Sequence, residues 1–73
     1  MTTPLLATTL VRAEHVRSFH VRTAACHAGW EAAEREDQRV VLRLYTDWHR
    51  VEQTLDRFAR DIAELREQGW REA

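Results

Sequence analysis

A chain of 73 residues can build one hydrophobic core and leaves no room for a second, so residues 1–73 are expected to form one domain. With 44% hydrophobic and 32% charged residues, two glycines and one proline, the composition excludes a disordered tail. The formal net charge of −1 excludes an overall electrostatic pull toward nucleic acid or anionic membrane, although local patches can still act.

Near the amino end, Leu5 to Val11 is an apolar cluster without the preceding basic flank or the length of a secretory signal. No run approaches the roughly 18 apolar residues of a membrane span, so a cytoplasmic protein with no membrane role is expected. Leu5, Leu6, Leu10 and Val11 fit both helical and strand periods, and residues 5–14 are assigned as the extension of a following strand. From Arg17 to Thr23, Phe19 and Val21 alternate with Ser18, His20 and Arg22, which predicts a strand. The break at His15 and Val16 implies a bulge or a change of element.

Gly29 to Arg35, with Trp30, Ala32 and Ala33, is assigned as a second strand against the helical preference of its alanines and glutamates. Glu36, Asp37 and Gln38 form a polar break of hairpin length. The segment Arg39 to Tyr45 then places Val40, Leu42 and Leu44 on one side of a period-two pattern and Val41, Arg43 and Tyr45 on the other.

From Trp48 onward, Val51, Leu55, Phe58, Ile62 and Leu65 recur three or four residues apart, the signature of one apolar stripe on a helix. Thr46 or Asp47 can cap its start, Asp56 and Arg60 are spaced as an i,i+4 ion pair, and Gly69 supplies a left-handed stop. A helix from Thr46 to Gln68 would be about 34 Å long, more than a three-stranded sheet covers, leaving apolar surface for another chain. The predicted architecture is α+β: a three-stranded antiparallel meander packed on one long C-terminal amphipathic helix (βββα).

Chemistry has little support in this chain. Cys26 is the only cysteine, which excludes an intramolecular disulfide and a four-cysteine zinc site. Cys26 and His27 are adjacent, a spacing that suits neither metal ligation nor a nucleophile and base with an orienting third group. Glu34, Glu36 and Asp37 gather carboxylates at a turn that water would hydrate. No glycine-rich phosphate loop, HExxH or GxSxG motif occurs, so neither catalysis nor a cofactor or metal is expected.

If Phe19, Val21, Trp30, Ala32, Val40, Leu42 and Leu44 face the helix, the open face of the sheet carries His20, Arg22, Glu31, Arg35, Val41, Arg43 and Tyr45. These residues frame two functional expectations. The first is a small noncatalytic interaction or regulatory module that binds a protein partner, as a homodimer, through the open sheet face or the helix end. The alternative is nucleic-acid binding by the basic face, with His20, Arg22, Arg35, Arg43 and Tyr45 on phosphates and bases. Trp70, beyond the helix stop, either folds back on the last turn or anchors a partner.

Overall fold

The computed structural model describes residues 4–25 and 28–73. Five strands and one helix follow in the order β1 (Leu6–Arg12), β2 (His15–Thr23), β3 (Trp30–Glu36), β4 (Arg39–Tyr45), α1 (Trp48–Glu67) and β5 (Arg71–Glu72). All strand pairings are antiparallel, and the sheet order is β4-β3-β2-β1-β5. The class is α+β with a carboxy-terminal helix, as expected, but the sheet has five strands among the described residues instead of three.

The two additional strands have separate causes. Residues 6–12 do not extend the second strand: they pair with it through a two-residue turn, Ala13 and Glu14, in the register Arg12↔His15 to Leu6↔Val21. The irregularity at His15 and Val16 is therefore the start of β2. After the helix, β5 adds to the free side of β1 at Leu10↔Glu72 and Val11↔Arg71, with the Ala73 amide donating to the Thr9 carbonyl at 3.0 Å.

The helix begins where Asp47, in extended conformation, accepts the His49 amide on its side chain at 2.9 Å. It ends in a Schellman arrangement. Gly69 takes a left-handed φ of +98°, its amide donates to the Arg66 carbonyl at 3.1 Å, and the Trp70 amide reaches back to Leu65 at 3.0 Å. Trp70 is half-buried against the core at the position where such caps place an apolar residue. The turn thus reverses the chain toward β1 and sets up β5.

One face of the sheet receives the helix. Leu10, Phe19, Val21 and Ala32 from the strands close on Val51, Phe58, Ile62 and Leu65 from α1. At the centre the Phe19 and Phe58 rings meet edge to face, 5.1 Å apart, a geometry that suits their quadrupoles. Leu55 packs at the margin, and Trp48, more exposed, lays its ring 5.2 Å from Trp30. Most of the predicted stripe is therefore covered, and apolar surface left over for another chain lies elsewhere.

It lies on β4, whose orientation reverses the expectation. Opposite residues in antiparallel strands share a face, so the pairs Trp30↔Tyr45, Ala32↔Arg43 and Glu34↔Val41 put Val41, Arg43 and Tyr45 on the helix side. Val40, Leu42 and Leu44 turn to the open side. A three-residue loop at Glu36–Gln38 would have matched Ala32 with Leu42. The loop is instead Asp37 and Gln38 alone, closed by Glu36↔Arg39, and this one-residue difference reverses every side chain of the strand.

Candidate functional site

Edge position and face together make β4 unusual. It pairs with β3 on one side only, so every second residue directs its amide and carbonyl to an open edge. On its outer face Val40, Leu42 and Leu44 are 60%, 57% and 57% exposed, the three most exposed large apolar residues among the described ones. Cross-strand neighbours extend the row: Leu42 lies beside Ala33, which lies beside His20 and then Ala7. Edge strands of monomers are ordinarily protected by charge, proline or a bulge, and the outer face of β4 has none of these.

The basic constellation expected on this face is divided by the register. His20, Arg22 and Arg35 are on the outer side, as expected. Arg22 is paired across the strand, its Nε donating to the Glu31 carboxylate at 3.0 Å. Arg35 donates from Nε to the Asp37 carbonyl at 2.5 Å and so braces the β3–β4 turn. His20 is half-buried between Ala7 and Ala33. Arg43 and Tyr45 are on the opposite side, and Trp70 packs at the helix end.

What Arg43 and Tyr45 join was not foreseen. Together with Asp47, His49, Arg50, Gln53, Thr54 and Arg57 they line a groove of about 550 Å³ between β4 and the first half of α1. The Tyr45 hydroxyl accepts from Thr54 Oγ1 at 3.3 Å, linking strand to helix at the groove floor. Arg50 and Arg57 lie seven residues apart and therefore on one face of the helix. The groove was within reach of sequence reasoning, because Arg50, Gln53 and Arg57 carry helical spacing, but it required knowing which side of β4 faces the helix.

Two polar anchors hold these surfaces in place. Glu34, on the helix side of β3, receives Arg17 at Oε1 and Arg57 at Oε2, both at 3.4 Å, so one carboxylate ties β2, β3 and α1 together. Both guanidinium groups also lie over core rings, Arg17 at 5.4 Å from the Phe19 centroid and Arg57 at 5.1 Å from that of Phe58. At the β3–β4 turn, Asp37 accepts the Val16 amide at 2.9 Å and contacts His15 Nδ1 at 3.0 Å. The His15 hydrogen bond, followed by that from the Val16 amide, holds the Asp37 carboxyl below the usual carboxylate range.

Among the described residues no group of three or more His, Cys, Asp or Glu side chains is placed to hold a metal ion. Cys26 and His27, weighed as ligands or as a dyad, lie outside the described residues. No described helix is long and apolar enough to cross a membrane. The chain matches no family model, and comparisons with curated proteins and with solved structures give no match.

Proposed function

We propose that this chain is a small noncatalytic interaction module whose first partner is a second copy of itself, joined edge to edge along β4. The observation that carries the reading is the apolar outer face of an edge strand, Val40, Leu42 and Leu44, whose charges, Arg39 and Arg43, lie on the opposite face. The sequence of β4 is complementary to itself. An antiparallel twofold pairing centred on Leu42 sets Val40 opposite the partner's Leu44, and the reverse, so the two apolar rows merge into one stripe. On the helix side the same register sets Val41 opposite the partner's Arg43 and Arg39 opposite the partner's Tyr45, with no like charges directly opposed.

Fully burying a valine or leucine stabilises by about 1.5–3 kcal/mol; these residues are somewhat over half exposed, and edge pairing covers them from the side, so each gains a fraction of that amount. Ladder hydrogen bonds add to this, so association in the micromolar range is within reach of the interface against the cost of immobilising two chains. The resulting assembly would carry a continuous ten-stranded sheet with a helix from each copy on one side. This is a rigid scaffold for presenting surfaces to other proteins in a regulatory or accessory role.

Nucleic-acid binding by the open face is the weaker reading. Arg43 and Tyr45 are absent from that side, and Arg22 and Arg35 are already hydrogen-bonded within the protein. Equilibrium sedimentation over a concentration series tests the proposal. A monomer–dimer equilibrium that Leu42→Asp shifts to monomer is the expected result, and a wild-type chain that stays monomeric at high micromolar concentration would overturn it.

A further inference from the structure

The groove between β4 and α1 carries a second site on the helix side of the strand, with Arg43 and Tyr45 bordering the edge proposed to pair. From its composition we propose that it binds a phosphate-type oxyanion, as free phosphate, a small phosphoester or a phosphate of a larger molecule.

Three guanidinium groups line one groove in a chain whose formal net charge is −1. Arg43 comes from the sheet, and Arg50 and Arg57 come from one face of the helix, so the cations are supplied by both walls. Their countercharge is incomplete. Asp47 is the one acidic side chain lining the groove, and its Oδ1 is engaged in accepting the His49 amide. Arg57 shares Glu34 with Arg17, one carboxylate between two cations. Among the described residues Arg43 and Arg50 form no ion pair, whereas Arg22 is paired with Glu31 and Arg66 with Glu72. Arg12, Arg35, Arg39, Arg60 and Arg71 are likewise without an ion pair among the described residues, and what distinguishes Arg43 and Arg50 is that they share one groove with Arg57.

Neutral donors complete the lining. The Tyr45 hydroxyl accepts from Thr54, which leaves its own hydrogen to donate, and Gln53 adds an amide beside His49. Guanidinium groups approaching from two walls match an acceptor with three or four oxygens and more than one negative charge, which describes phosphate better than a carboxylate. A volume of about 550 Å³ exceeds a bare phosphate and falls among small-molecule sites, leaving space for the group to which the phosphate is attached.

Isothermal titration of the folded full chain with pyrophosphate at low ionic strength is the test. Saturable binding is expected, with Arg43→Ala and Arg50→Ala each weakening it about tenfold or more, a loss of the size a charge-assisted hydrogen bond supplies. Arg60→Ala, on the exposed side of the helix, is expected to leave it unchanged. Circular dichroism of each variant confirms the fold. Repeating the titration with Leu42→Asp separates this site from the pairing of β4, because the same dependence on Arg43 and Arg50 is expected there. Absence of pyrophosphate binding, or an equal loss in Arg60→Ala, would overturn the proposal. A single-stranded oligonucleotide displaced by pyrophosphate would identify nucleic acid as the source of the phosphate. Oligonucleotide binding indifferent to Arg43→Ala and Arg50→Ala would count against the groove.

Discussion

Removing the carboxylate of Glu34 tests how the helix is fixed over the sheet. It holds Arg17 and Arg57 at 3.4 Å each, with side-chain exposures of 19% for Arg17, 27% for Glu34 and 47% for Arg57. Those distances are longer than an ideal charged hydrogen bond, and the Arg57 arm is open enough to behave as a surface pair contributing about 0.2–1 kcal/mol. The Arg17 arm is different. Its Nε is buried with no hydrogen-bond partner, and loss of Glu34 removes the ion pair of a largely enclosed guanidinium, leaving Asp61 and Glu64, which line the same pocket, as the nearby acids. This places the Arg17 contribution at about 1–2 kcal/mol, toward the lower part of the range for unsatisfied charged groups. Glu34→Ala should therefore destabilise by about 1–3 kcal/mol, read from urea midpoints at one fixed protein concentration. A double-mutant cycle with Arg17→Met should give a coupling clearly larger than one with Arg57→Met. Equal couplings, or none with Arg17, would refute the assignment of Glu34 as the tie between strands and helix.

Three further changes probe the frame. Phe58→Ala removes a 1%-exposed ring in edge contact with Phe19, and the loss of about 3–5 kcal/mol is comparable with the whole stability of so small a core. The near-ultraviolet dichroism of the native tryptophans should collapse at room temperature, and a variant that keeps it would show that the core is not centred on this pair. Ala13→Gly relieves a left-handed φ of 53° at the β1–β2 turn, worth about 1–2 kcal/mol, against a glycine entropy cost of about 0.5–1 kcal/mol. A small rise in thermal midpoint is expected, and a fall would show that the turn is unstrained. For Asp37 the sign follows from its lowered folded-state pKa. Its stabilising contribution is present above the ordinary value of 3.8 and is lost as the pH falls through the lower folded value. Asp37→Asn should flatten the acid limb of a stability profile, and an unchanged limb would assign acid sensitivity to other carboxylates.

The helix was legible because its signals are local: apolar residues three or four apart, the capping aspartate Asp47 before it and Gly69 after it. The apolar inward residues Phe19, Val21, Trp30 and Ala32 were legible for the same reason, whereas Glu34, expected in a hydrated turn, lies on the helix side of β3 between Arg17 and Arg57. The boundary between β1 and β2 was not, because the turn residues Ala13 and Glu14 are neither glycine nor asparagine and the left-handed conformation falls on an alanine. β5 has two residues, and its partner strand lies near the opposite end of the chain, so no local pattern marks it. The most consequential gap was the orientation of β4. Val40, Leu42 and Leu44 have the alternation of a buried face, and a three-residue loop would have buried them. The shorter loop is stabilised by Asp37 bonding to Val16 and His15, more than twenty residues earlier in the chain. That contact is tertiary, and it exchanged a basic open face for an apolar one. Arg43 and Tyr45 were expected on the open face, and the register instead places them in the groove between β4 and α1.

Sedimentation of the wild-type chain beside Leu42→Asp, from low to high micromolar concentration, addresses the role of β4 most directly. Leu42 is largely exposed within one chain, so the substitution should leave the fold intact by circular dichroism while opposing two carboxylates at the seam. Val40→Lys provides a second, chemically different disruption of the same stripe. A wild-type dimer that both variants render monomeric is the predicted outcome. A monomeric wild type, or a dimer untouched by either change, would contradict the pairing of β4 with its own copy.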